Sequence, residues 1–218
     1  MLTFRQTWAF FFGKFLTDPI WWFFLFWLPA FLEGENARKT KEFLAATPDF
    51  KGEIPGVISW PLAIAVVYTV ATFGSIFGGW LPKKFIQTGM DANKARKLAM
   101  FLFALFPLSV LLATRLGQIN TWFAVATIAV ACAAHQAWSA NIFTTVSDMF
   151  PKKAVASVTG IGGMAGAVGG ILIARAAGLL LKHYTALGKV EAGYAILFII
   201  CGSAYLVAWV LMHLLVPK

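Results

Sequence analysis

Six unbroken apolar stretches restrict this chain more than any other feature. They cover Trp8–Leu32, Ile58–Leu81, Leu98–Leu116, Trp122–Phe150, Val155–Leu181 and Gly193–Val216. A run of about 20 apolar residues has the length of a membrane-spanning helix. In hydrocarbon every backbone N–H and C=O needs an internal partner, so only helices and closed barrels can span. Barrel strands would alternate polar and apolar residues, and these runs do not. The expected fold class is all-α membrane: one bundle of six transmembrane helices over residues 1–218.

Composition narrows the function. Charged residues make up only 12% of the chain, about half the share in a soluble domain. The net charge of +9 would suggest nucleic acid in a soluble chain. Here the bases lie mostly between apolar runs, which assigns them to topology and lipid headgroups. Nucleic acid is therefore not an expected partner, whereas the lipid bilayer is. Cys132 and Cys201 both sit inside apolar runs and supply neither a disulfide framework nor metal spacing. No His, Cys or carboxylate cluster has ligand spacing, and no nucleophile is paired with a base. The sequence thus predicts no metal, no cofactor and no enzymatic activity. The first apolar run is too long, too charged and too poor in small residues for a cleaved signal peptide.

The connections carry the polarity. Residues 33–57 hold five acids and four bases and read as a polar loop, with room for a short helix near Arg38–Leu44. Residues 82–97 hold five bases and one acid and read as a basic loop. An even number of spans puts both termini on one side. That side carries nine bases against seven opposite, in shorter loops, so the positive-inside rule places both termini in the cytoplasm. Asp148 is expected to cap the cytoplasmic end of the fourth span and to pair with Lys152 or Lys153.

Spans one and four are the first members of two triplets, and both carry unusual polar residues. Transporters built from three-plus-three inverted repeats place substrate chemistry at such matching points. Span one contains "GKFLTDPIWWFFLFWLPAFL", starting at Gly13. Lys14 and Asp18 stand four apart, on one helix face. A lone charge at the bilayer centre costs about 2.5–3.5 kcal/mol, so the two are expected to pair, to face a wet cavity, or both. One reading gives Lys14 to an anionic substrate, with Asp18 orienting or neutralising it in the empty site. The other is a closed structural ion pair, or Lys14 snorkelling to the surface. Pro19 removes a helix donor and frees a carbonyl one turn back. Trp21 and Trp22 either stack on a sugar face or fill the bundle.

Span four contains "HQAWSANIFTTVSDMFP", starting at His135. Trp138, Asn141 and Thr145 can share a face, with His135 at its border. Gln136, Ser139 and Phe143 form a second stripe. Amide and indole donors suit hydroxyl recognition, while interhelical hydrogen bonding would use the same residues. In span five, "GIGGMAGAVGG" from Gly160 matches a loose dinucleotide fingerprint. That fingerprint needs a strand before it and a βαβ unit around it, so it is rejected. Gly162, Gly166 and Gly170 are instead small residues at helix-packing spacing. Arg175, in the same span, reaches headgroups or pairs within the bundle.

The two long motifs resemble the seventh and tenth helices of the anion:cation symporter family of the major facilitator superfamily, in its hexuronate transporter branch. The resemblance runs along the whole chain, but only as the C-terminal six-helix half of a twelve-helix protein. It implies half of a major facilitator fold, with two three-helix inverted repeats. It also implies uptake of a hexuronate (glucuronate or galacturonate) with protons, by alternating access against a missing N-terminal six-helix half. The implied site residues are Lys14, Asp18, Trp22, His135, Trp138, Asn141 and Phe143, with Lys14 facing a sugar carboxylate. Asp18 and His135 are the local candidates for proton coupling. The implied location is a bacterial inner (plasma) membrane. "GGWLPKKF", from Gly78, is similar to the superfamily's glycine-and-basic motif, but has Pro82 where that motif wants an acid. The alternatives are an aldonate or other organic-acid transporter half, or a truncated non-transporting membrane module.

Overall fold

A computed structural model of the chain describes residues 2–216; Lys218, counted above among the bases on the terminal side, lies outside them. Among the described residues there are helices and no strands. Six helices are long and apolar enough to cross a membrane: α1 Arg5–Ala46, α2 Trp60–Gln87, α3 Ala92–Ile119, α4 Thr121–Met149, α5 Lys152–Ala186 and α6 Val190–Leu215. The protein is an all-helical integral membrane protein, as the apolar runs require.

The helices pair in a pattern that survives exchanging α1, α2 and α3 for α4, α5 and α6. α1 lies along α5, and α4 lies along α2; α1 also packs on α6, and α4 on α3. An odd number of spans per triplet inverts the second triplet relative to the first. The first helix of each triplet is thus inserted into the other, which is the arrangement of inverted repeats.

Small residues make that insertion possible. A Cβ at Gly74 would stand 2.0 Å from the Ala133 carbonyl oxygen, and one at Gly78 would stand 2.5 Å from Ala137 Cα. Backbone therefore meets backbone between α2 and α4, as small residues allow in membranes. On the other side of the repeat, the glycines of "GIGGMAGAVGG" receive α1. Gly162 faces Phe10, Gly166 faces Asp18, and Gly169 faces Pro19 and the Phe15 carbonyl. That carbonyl is the one Pro19 leaves without its helical donor.

Two connections differ from the expected loops. The stretch 33–46 continues α1 instead of leaving it. Its residues form helix-stabilising pairs: Arg38 donates to Glu35 at 2.8 Å, three residues back, and to Glu42 at 2.9 Å, four residues on. Such pairs support a helix outside the bilayer. The helix stops at Thr47, before Pro48, where helical backbone is disfavoured. The basic stretch 82–97 is likewise mostly helical. "GGWLPKKF" is the last part of α2, and only residues 88–91 turn. Gly89 supplies positive φ (92°), and the Asp91 carboxylate caps α3 by accepting from Asn93 and Lys94 backbone N–H groups. Inside α3, Pro107 begins a 3₁₀ stretch over Phe106–Leu112 before α-helix resumes.

Each end of the bundle is tied across helices. At the end away from the termini, Asn36 donates to the Ile58 carbonyl (2.7 Å) and accepts from Ile58 N–H (3.1 Å), which docks the 47–59 connection on α1. Arg38 also reaches Glu191 of α6 at 3.2 Å. At the terminal end, Asp148 pairs with Arg96 of α3 at 2.5 Å, not with Lys152 or Lys153. Those lysines open α5 beyond Pro151, in the turn that carries the chain away from Asp148, whereas the start of α3 lies alongside.

Candidate functional site

Lys14 is buried at 6% exposure, within the apolar part of α1. Its ammonium Nζ is 2.7 Å from Asp18 Oδ2 and 4.4 Å from the centre of the Phe143 ring on α4. One carboxylate and one aromatic face therefore hold the cation. Asp18 in turn leans on Gly166, where the missing side chain of α5 leaves it space. The 3.6-residue period brings Lys14 and Asp18 together; the glycine lets α5 close over them.

Beside this pair lies a cavity of about 210 Å³, lined by Lys14, Asp18, Trp21, Trp22, His135, Gln136 and Ser139. It opens at the bundle surface between α1 and α4, the first helices of the two repeats. His135 is stacked flat on Trp21, with ring centres 5.1 Å apart and planes 15° from parallel. Its Nδ1 is 2.6 Å from the hydroxyl of Tyr205 on α6. Trp22 is half-exposed and lies over Gly170.

The seven expected site residues divide. Lys14, Asp18, Trp22 and His135 line the cavity, and Phe143 adjoins it through the Lys14 ammonium. Trp138 and Asn141 do not line it. Trp138 is fully buried, its ring edge-on to Tyr205. The Asn141 amide donates to the Gly78 carbonyl of α2 at 2.7 Å and to the Ala137 carbonyl at 2.9 Å, and so fastens α4 to α2. The helical wheel explains the split. At about 100° per residue, positions 135, 136, 139 and 143 fall within one arc, while 138 and 141 fall on the far side of 135. Gln136 and Ser139, read as a second stripe, are the ones that reach the cavity. Tyr205 gave no local signal: it sits in the uniformly apolar sixth span.

A second cavity, of about 410 Å³, opens at the terminal end. Its lining includes Arg96, Lys97, Asp148, Trp209 and His213. The Arg96–Asp148 pair lies on its wall. Trp209 Nε1 donates to the Lys97 carbonyl at 2.9 Å, and the Lys97 ammonium donates to the Val216 carbonyl, so α3 and α6 are tied there as well.

Fold and cavity together define the class: a six-helix membrane bundle of two inverted repeats, with a buried ion pair on α1 beside a polar hollow between the first helices of the two repeats. Comparison with known proteins agrees. The chain is 28% identical over 181 residues to the hexuronate transporter of Escherichia coli K12, covering 81% of this chain and 37% of that protein. It is 26% identical over 185 residues to the "Probable galactarate/D-glucarate transporter GarP" of the same organism, covering 84% of this chain and again 37% of the relative. No protein-family model matches the chain. The resemblance read from the two motifs is thus found again over 81–84% of the chain, and the chain spans little more than a third of the length of the curated relatives it matches.

Proposed function

We propose that this chain supplies one six-helix half of a transporter for sugar acids, and that the cavity between α1 and α4 holds the substrate. The observation that carries this reading is the Lys14 ammonium: buried among apolar residues, charge-paired, and next to a polar hollow. A charge at that depth is costly unless it serves a pathway or a ligand. Lys14 takes the substrate carboxylate. Asp18 neutralises the ammonium when the cavity is empty and hands it over when an anion arrives. Phe143 keeps the ammonium pointing inward. Trp21 and Trp22 offer apolar faces to a sugar ring, and His135, Gln136 and Ser139 offer hydrogen bonds to its hydroxyls.

A hexuronate is the substrate this arrangement suits best: one carboxylate on a ring with several hydroxyls. Similarity to the hexuronate transporter supports it. Similarity to GarP favours a second reading, an open-chain sugar diacid. We place the other six-helix half as the partner that closes the cavity, both termini in the cytoplasm, and the protein in a bacterial plasma membrane. Protons are the proposed coupling ion, with Asp18 and His135 as the groups within this half able to carry them.

The test is uptake of D-glucuronate by a complete transporter containing this half. Lys14→Ala abolishes uptake while leaving membrane insertion unchanged. Normal uptake by that variant removes Lys14 from the mechanism. Competition by galactarate, stronger than by glucuronate, shifts the substrate to the diacid.

A further inference from the structure

Tyr205 is a buried polar group that touches the cavity residue His135. It lies on α6, fully buried and outside the cavity lining. Its oxygen is 2.6 Å from His135 Nδ1 and 3.5 Å from the Thr17 carbonyl, one residue before Asp18. Trp138 packs edge-on against its ring at 5.7 Å and 84°. His135 is thus held on its flat face by Trp21 and on one nitrogen by Tyr205. Its other nitrogen, Nε2, has no hydrogen-bond partner among the described residues.

We propose that Tyr205 is a positioning residue whose hydroxyl donates to His135 Nδ1, fixing the imidazole as the tautomer that carries its proton on Nε2 and presents it to an oxygen of the bound anion. This rests on the reading of the cavity as an organic-anion site.

The distances select this polarity over its reverse. The reverse polarity, with Nδ1–H donating to the phenol oxygen, would leave the phenol proton only the Thr17 carbonyl to bond to. The phenol has one proton, and the alternative acceptor, the Thr17 carbonyl, stands at the outer limit of a hydrogen bond at 3.5 Å. A neutral imidazole has one donor and one acceptor nitrogen, and the bond made by one sets the state of the other. With Nδ1 accepting, Nε2–H is a donor. Lys14 and His135 both line the hollow, so on this proposal it has two donors from two helices, while its one carboxylate, Asp18, is already engaged by Lys14. Two donors match the two oxygens of a carboxylate, or a carboxylate and its neighbouring hydroxyl. The last helix thereby takes part in recognition without touching the ligand.

Two measurements test the proposal. The first is solid-state NMR of ¹⁵N-histidine-labelled protein in bilayers, with no ligand added. The His135 signals are separated from those of His183 and His213 by comparison with His135→Gln. The expected result is an unprotonated Nδ1 and a protonated Nε2 in the parent chain, and a mixture of tautomers in Tyr205→Phe, which keeps the ring. A protonated Nδ1 in the parent, or an unchanged tautomer in Tyr205→Phe, overturns the proposal. The second is uptake of D-glucuronate by the complete transporter. Losing one positioning hydrogen bond raises KM about five- to tenfold in Tyr205→Phe, with the maximal rate little changed. In a His135→Gln background, where the amide nitrogen replaces Nε2–H without help from α6, Tyr205→Phe has no further effect on KM. Equal effects of Tyr205→Phe in both backgrounds mean a merely structural tyrosine and overturn the proposal. If the tautomer result holds but the parent transporter carries no sugar acid, the anion reading falls and the proton placement stands.

Discussion

The Asp18 carboxylate lies in a notch made by Gly166: a Cβ added at Gly166 would stand 2.2 Å from Asp18 Oδ2. The acid that neutralises Lys14 on α1 is therefore positioned by a missing side chain on α5. Packing between the repeats and the charge state of the cavity are one structural problem.

Gly166→Ala accordingly tests both. The added methyl meets a charged carboxylate on a tightly packed helix, not the free end of a flexible chain. Overpacking of this kind costs about 1–3 kcal/mol. The expected outcome is a lower thermal unfolding midpoint in detergent, together with a change in the affinity for D-glucuronate. Gly79→Ala, where a Cβ meets nothing within 4 Å, serves as the control and leaves both unaltered.

The ion pair itself behaves asymmetrically. Removing one partner of a buried pair leaves an uncompensated charge and costs about 3–5 kcal/mol; the cost is smaller here because Asp18 keeps a side-chain exposure of 20%. Lys14→Met alone and Asp18→Leu alone each lower stability. The double variant Lys14→Met, Asp18→Leu is more stable than either, yet transports nothing. Chemical unfolding of the three proteins measures the order, and a double variant less stable than both singles contradicts it.

Asn141 separates structure from recognition. Its amide is spent on the Gly78 and Ala137 carbonyls, so Asn141→Ala leaves the Gly78 oxygen without this donor and costs about 1–3 kcal/mol. The KM for a sugar acid stays within twofold of the parent. A large KM rise at unchanged stability would instead return Asn141 to the cavity.

At the terminal end, Asp148 is bound to Arg96. Asp148→Asn is expected to loosen α3 from α4 and to raise hydrogen exchange in the 88–97 stretch. Lys152→Ala and Lys153→Ala, whose side chains are exposed, change exchange there little, as surface substitutions do.

At the other end, the guanidinium of Arg38 meets Glu35, Glu42 and Glu191. Burial, the largest single influence, would lower its pKa, but the hydrogen bonds and negative charges of Glu35 and Glu42 together raise it. A group whose folded pKa is raised keeps its stabilising effect below its ordinary value, so Arg38 holds this cluster throughout the neutral range. Arg38→Met removes the ionic tie between the ends of α1 and α6. The resulting loss is of the order of 1 kcal/mol because the side chain is 24% exposed, and it shrinks as salt rises. Unfolding at low and high salt measures it; a loss independent of salt would point to packing instead.

Sequence alone determined that this is a six-span membrane bundle and that the first helix of each triplet carries the unusual polar residues. Span length, charge depletion and the cost of a lone charge in hydrocarbon are properties of the chain in any fold it could adopt in a bilayer. Lys14 and Asp18 were legible as a pair because the helical period joins them locally. The length of α1 beyond the bilayer was not read, because a polar stretch rich in acid–base pairs is compatible with both loop and helix; Asn36, docked on Ile58, joins the helical end to the connection that follows. Only the tertiary structure decided which face of α4 meets the cavity. The helical period sets the angle between Ser139 and Asn141, but the direction in which either points depends on where α2, α5 and α6 pack. For the same reason Tyr205, 70 residues from His135 in the chain, entered the site only when α6 was placed against α1 and α4.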